Sequence, residues 1–136
     1  MTLAILGTGG HAKSVYDIVK NKKKIYFFDK EKTIFKVGDK KFKVKSEHEL
    51  LNGHKKEISK VIVTIGNNKI RQKKFNILKK LKYKIATLIH LKSYCGYGAT
   101  IDEGTVVMQG SLINTNSQVG KNCIINSHAS IDHDCL

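Results

Sequence analysis

The sequence predicts two folds in series: an α/β unit with a parallel sheet over residues 1–88, then a parallel β-helix of triangular coils over residues 89–136. Three observations carry this. From Ile89 to Leu136 the chain runs as eight consecutive hexapeptides. Each begins with a core-type residue (Ile89, Cys95, Ile101, Val107, Ile113, Val119, Ile125, Ile131) and has a small residue fifth (Ser93, Ala99, Thr105, Ser111, Ser117, Cys123, Ala129, Cys135). Ahead of them, a glycine-rich turn follows a short apolar run near the N-terminus. The charge balance shifts between the two parts. Residues 1–88 hold 23 of the 25 Lys and Arg against 7 of the 11 Asp and Glu, a net +16, whereas the remainder carries −2.

In the first part, Leu3–Leu6 is an apolar run of strand length, and Gly7-Thr8-Gly9-Gly10-His11-Ala12 turns out of it. Val15, Ile18 and Val19 recur at helical spacing over Ala12–Lys20. Ile25–Asp29 is a second strand, and Val61–Gly66 a third. Ser46-Glu47-His48-Glu49 has the spacing of a capping box and opens a short helix toward Leu51. Lys69–Leu81 is a longer helix, and Lys84–Ile89 a strand leading into the repeats. Strands alternating with helices argue for a parallel sheet.

A period of six is neither helical nor that of a half-buried strand. In a three-sided coil each hexapeptide forms one flat side, its first residue points inward, and its fifth packs at the corner. Residue n then lies over n+18, so Asn114, Thr115 and Asn116 sit one coil from Asp132, His133 and Asp134. Eight sides make fewer than three coils, and stacked repeats need about three units and a cap. The expectation is a fragment of a longer solenoid, or an open end covered by other subunits.

The pI near 9.8 suggests nucleic acid, but the lysines are scattered (Lys40-Lys41, Lys79-Lys80) with no recognition motif or aromatic platform. A solvated basic surface that suits small anionic ligands, and no nucleic-acid partner, is the expectation. No signal peptide or apolar run of membrane-spanning length is present, which predicts a cytoplasmic chain without membrane insertion. Cys95, Cys123 and Cys135 occupy inward or corner positions and form no CxxC pair, so they are expected in the core and no metal site is expected.

Gly7-x-Gly9-x-x-Ala12 fits the dinucleotide fingerprint, with alanine third. Glycines let a phosphate approach the backbone, and the helix start offers it free N–H groups. Asp29, at the end of the second strand, stands where a carboxylate accepts ribose hydroxyls, and Gly66-Asn67-Asn68 follows the third strand at the same edge. One pocket with His11 at its mouth is expected; a tight βα turn without ligand is the plainer alternative. Residues 1–88 make only about half of a doubly wound fold, so a mononucleotide or nucleotide-sugar suits them better than a nicotinamide cofactor.

Asp132-His133-Asp134 is the catalytic candidate. An imidazole titrates near neutral pH, and a neighbouring carboxylate raises its basicity. Strict alternation turns His133 inward and both aspartates outward, whereas the corner at Cys135 can bring His133 to the surface. A polar corner without chemistry is the other reading.

Taken together, the motifs Ile-Leu-Gly-x-Gly-Gly-His, Ile-Gly-Asn-Asn-x-Ile-Arg, Ile-Asn-Ser and Ile-Asp-His-Asp-Cys resemble the bacterial sialic-acid O-acetyltransferase and UDP-amino-sugar N-acetyltransferase family (NeuD/PglD-like). The resemblance implies a Rossmann-like nucleotide-sugar-binding domain followed by a left-handed parallel β-helix, assembled as a homotrimer with acetyl-CoA as co-substrate and no metal. It implies His133 as general base and Asp134 as its supporting carboxylate. Gly9, Gly10, His11, Asp29 and Gly66 become nucleotide-sugar contacts, and Asn126 a polar residue near the reacting centre. Lys30 stands where the family often has a second acid. The expected reaction is direct transfer of acetyl to an amino or hydroxyl group of a nucleotide-linked or sialic-type sugar. Because family members continue for several more coils that hold CoA, a non-catalytic nucleotide-sugar-binding or assembly module is the alternative.

Overall fold

The computed structural model describes residues 2–22, 24–52 and 57–136. The chain divides into two compact units, Met1–Ile85 and Ala86–Leu136, just ahead of the first hexapeptide.

The first unit is built on a five-stranded sheet. Its strands are β1 (Thr2–Leu6), β2 (Lys24–Asp29), β3 (Ile34–Val37), β4 (Lys40–Ser46) and β5 (Lys60–Val63), in the order β3-β4-β2-β1-β5. All neighbours are parallel except the β3–β4 hairpin at one edge. Leu3, Ala4, Ile5 and Leu6 are all buried, as a central parallel strand covered on both faces requires. On one face Ala4, Leu6, Val61 and Val63 pack with Leu50 of α2 (Glu47–Leu51) and with Phe75 and Leu78 of α3 (Asn68–Lys80). Elsewhere Tyr16 of α1 (Gly10–Val19) meets Phe27 and Phe42, and Phe27 lies 4.7 Å from Phe35 between ring centres.

Two local features differ from expectation. The β3–β4 hairpin was not foreseen, although Phe35 faces Phe42 across it and Gly38 turns it at φ +57. Its strands are so dense in lysine that the alternation is hidden. Residues 84–89 do not form a continuous strand. Lys82 takes φ +58, and the Tyr83 N–H reaches back to the Leu78 carbonyl, ending α3 in a Schellman turn. The chain then pairs with the sheet through the Val61–Ile85 bridge. The capping at Ser46 is present, its hydroxyl accepting from the His48 N–H.

The second unit is a stack of two-residue parallel strands. Successive strands are β6 (Leu88–Ile89), β7 (Tyr94–Cys95), β8 (Thr100–Ile101), β9 (Val106–Val107), β10 (Leu112–Ile113), β11 (Gln118–Val119), β12 (Ile124–Ile125) and β13 (Ser130–Ile131). They form three ladders, β6-β9-β12, β7-β10-β13 and β8-β11, in which each residue pairs with the one eighteen positions on. Val107, Ile113 and Val119 are buried, and Ile101, Ile125 and Ile131 pack partly buried against them. The expectation that every first position lies inside fails at the start: Ile89 is 44% exposed and Cys95 is exposed as well. Both stand on outermost rungs, with a neighbour on one side only. Cys123 and Cys135 are half-buried.

Residue by residue, the corners explain the repeat. Gly98, Gly104, Gly110, Asn116, Asn122, His128 and Asp134, six apart, all have φ between 56° and 81°. Only glycine enters that region freely, with Asn, Asp and His the best tolerated of the rest. The fifth positions do more than stay small. Buried Thr105 and Ser117 donate their hydroxyls to the carbonyls of Gly120 and Asp132, and accept the N–H groups of Cys123 and Cys135 from the next coil.

Candidate functional site

In the first unit, the carboxyl ends of β1, β2 and β5 lie level, with Leu6 paired to both Phe28 and Val63. The loops leaving those ends therefore meet. Gly7 donates its N–H to the Phe28 carbonyl, and the Thr64 hydroxyl donates to the Gly7 carbonyl at 2.6 Å. Between these loops is a cavity of about 400 Å³ whose lining includes Gly9, Gly10, His11, Asp29 and Gly66.

The glycines differ in what demands them. Gly7 has φ +102, and an added Cβ would stand 2.7 Å from Ile65 Cγ1. Gly9 has φ −82, and Cβ atoms at Gly9, Gly10 or Gly66 would meet nothing within 4 Å. Gly7 is required by the fold. The bare backbone at Gly9 and Gly10 instead leaves room beside the start of α1, which has no side-chain cap on its first N–H groups.

Asp29 is committed to the protein itself. Its Oδ2 accepts both the N–H and the hydroxyl of Thr8, at 2.9 and 2.7 Å, and its Oδ1 accepts the N–H groups of Glu31 and Lys32. Burial pushes its pKa upward, but these four donors outweigh that and hold it below the ordinary carboxylate value. Lys32 donates from Nζ to the Thr8 carbonyl, closing a brace around the glycine loop. A carboxylate so placed fixes the loop that lines the cavity.

His11, expected at the mouth, is set into the wall instead: its Nε2 is buried and has no hydrogen-bond partner among the described residues. Burial first, and then the positive charge of Arg71, lower its pKa, so the ring is neutral at neutral pH. Arg71 is itself buried and donates to the carbonyls of Ile65 and Gly66 and to Asn68 Oδ1, which shapes the Gly66 side of the cavity. Glu47 and Lys74, an ion pair at 2.8 Å, also line it; in the sequence Glu47 stands only as part of a helix-capping motif and Lys74 as one of many helix lysines.

In the second unit His133 projects outward, with 77% of its side chain exposed. The left-handed corner at Asp134 breaks the strict alternation and brings its Oδ2 to 2.7 Å from His133 Nδ1. The Asp134 hydrogen bond, above all, raises the His133 pKa, with Asp134 and Asp132 adding charge. The same bond, with a second from Asn116, lowers that of Asp134. With Nδ1 engaged, Nε2 is the nitrogen left to accept a proton. Asn126 is exposed one side earlier in the stack, where its carbonyl accepts the Ala129 N–H. Asn116 was legible only as a stacking neighbour, and its amide is the part that matters.

Among the described residues no group of three or more His, Cys, Asp or Glu could hold a metal ion, and no helix is long and apolar enough to cross a membrane.

Residues 2–78 match the family model of the PglD N-terminal domain. Solved structures match nearly the whole chain. PerB from Caulobacter crescentus, in complex with CoA and GDP-perosamine, is 28% identical with a TM-score of 0.86, over 99% of this chain and 64% of its own. The acetyltransferase domain of PglB from Neisseria gonorrhoeae FA1090, in complex with acetyl coenzyme A, is 33% identical with a TM-score of 0.87, over 99% and 66%. WeeI from Acinetobacter baumannii AYE, at 20% identity and a TM-score of 0.84, shares the fold. The chain spans a little under two thirds of the length of PerB and of the PglB domain.

Proposed function

The chain belongs to the NeuD/PglD-like family of sugar acetyltransferases, and from that membership we propose that it carries the sugar-nucleotide pocket and the general base of an acetyl-CoA-dependent enzyme. The stacked strands are coils of a left-handed parallel β-helix, and the working assembly is a homotrimer in the cytoplasm, where acetyl-CoA and nucleotide-sugars are made. Support for the substrates comes from similar structures that hold CoA with GDP-perosamine, or acetyl coenzyme A.

The single observation that carries the chemistry is the 2.7 Å contact between His133 Nδ1 and Asp134 Oδ2 on an open surface. Asp134 keeps the proton on Nδ1. His133 Nε2 takes a proton from a sugar amine or hydroxyl as that atom bonds to the acetyl carbon. The carbon–sulfur bond then breaks, and CoA leaves as its thiol after taking up the proton. No acyl-enzyme is formed. Cys123 and Cys135 direct their thiols at the carbonyls of Lys121 and His133, so neither thiol is aligned with a base. In the first unit, the open backbone at Gly9 and Gly10 and the start of α1 hold the diphosphate, with His11 and Gly66 beside it. Asp29 acts chiefly by bracing the loop, and Asn126 is a polar contact for the acceptor.

The test is His133→Ala in the full reading frame, assayed by thiol release from acetyl-CoA with a panel of UDP- and GDP-linked amino sugars. The turnover number should fall by roughly 10²–10⁴ with nucleotide-sugar affinity unchanged. Equal turnover removes His133 from the mechanism. Binding without any transfer by the wild type makes the protein a nucleotide-sugar-binding module instead.

A further inference from the structure

The stack brings one more side chain to the His133–Asp134 pair. Ile113 pairs with Ile131, so the corner at Asn116 lies directly against the corner at Asp134. Both residues are left-handed, at φ 61° and 56°. Asn116 Nδ2 donates to Asp134 Oδ1 at 3.3 Å, while Asp134 Oδ2 holds His133 Nδ1. One coil earlier stands Gly98, where an added Cβ would come within 2.5 Å of Asn116 Oδ1. The missing side chain at Gly98 gives the Asn116 amide its seat. Backbone bonds fasten the same corner. Asp134 donates its N–H to the Thr115 carbonyl at 3.0 Å, and the Ser117 hydroxyl bridges the Asp132 carbonyl and the Cys135 N–H.

We infer that Asn116 is a positioning residue: it fixes one oxygen of Asp134 so that the other stays on His133 Nδ1. An exposed aspartate otherwise turns freely about its terminal torsion, which has broad minima, and water competes for both oxygens. At 3.3 Å the bond is long, so its effect is on orientation. The arrangement matters for turnover only if His133 is the base, as proposed above, but the hydrogen-bond relay exists independently of that role.

The experiment uses the 136-residue chain and nitrogen-15 NMR of the histidine rings, which reports both the titration midpoint and the ring nitrogen that carries the proton. Asp134 and Asp132 are the charged groups acting on His133. Asn116→Gly removes the amide and still accepts the positive φ. Asp134→Asn supplies the reference for full loss, and Asn122→Gly makes the same change at another corner. Asn116→Gly should lower the His133 midpoint part of the way toward that of Asp134→Asn and reduce the Nδ1-protonated fraction. The His90 and His128 signals should stay in place, and Asn122→Gly should leave His133 unmoved. An unchanged His133 ring in Asn116→Gly, or an equal shift in Asn122→Gly, overturns the inference. If Asn116→Gly displaces His90 and His128 as well, Asn116→Ser, whose hydroxyl is too short to reach Asp134, decides by the same two criteria. Unaltered turnover in His133→Ala would strike the base and leave this relay standing.

Discussion

His133 and Asp134 face water, where an ion pair contributes little to stability; their effect is on protonation. Because Asp134 raises the His133 pKa above the ordinary 6.5, the neutral imidazole that the proposed base requires accumulates only as pH climbs through that higher value. The acid limb of kcat/KM should therefore lie above the ordinary value of an unassisted histidine. Asp134→Asn should move the limb to lower pH and cost less turnover than His133→Ala, as a pH–rate profile with acetyl-CoA would show. The pair itself was legible in Ile-Asp-His-Asp-Cys. Its orientation was not, because alternation along a flat strand breaks where Asp134 takes φ +56. Asp29 was legible as a carboxylate at the strand end. Its engagement by Thr8, 21 residues away, depends on two strands ending level, which spacing alone does not show.

The repeat was the clearest element in the sequence because it fixes both which residues point inward and which residues stack. The corner rule at the fourth position of the second to eighth hexapeptides was equally visible as Gly, Gly, Gly, Asn, Asn, His, Asp. It escapes a search for apolar residues because it concerns backbone conformation. Gly110 illustrates its force: φ is +67, and an added Cβ would lie 2.6 Å from the ring of His128 one coil on. Gly110→Ala should cost about 1–2 kcal/mol from the left-handed backbone, and more from crowding. His128→Gly in the same chain should recover the crowding part alone, a non-additivity that denaturant unfolding of the double-mutant cycle would measure. The β3–β4 hairpin was lost for the opposite reason, since lysines outnumber the apolar residues that mark its inner face.

For the molecule as a whole, nearly all of the positive charge belongs to the unit with the cavity, as the net +16 over residues 1–88 shows. A nucleotide-sugar should raise the unfolding temperature of that unit, since a ligand at roughly 100 times its Kd stabilises by about 2.7 kcal/mol. Added salt should weaken the effect by screening the lysines. Gly9→Val should leave the melting of the free protein almost unchanged, because its side chain enters open space, yet abolish the ligand-dependent rise. A Gly9→Val protein that still responds in thermal-shift measurements would place the ligand elsewhere.

The left-handed corner at Asp134 also narrows which residues can stand there. Of the four residue types found at these corners, only aspartate supplies an anion. Glutamate would preserve the charge but sit poorly in the turn, whereas asparagine would preserve the turn but carry no charge. Substitutions at Asp134 thus face a conformational demand from the turn and a chemical one from the proposed base, and few satisfy both.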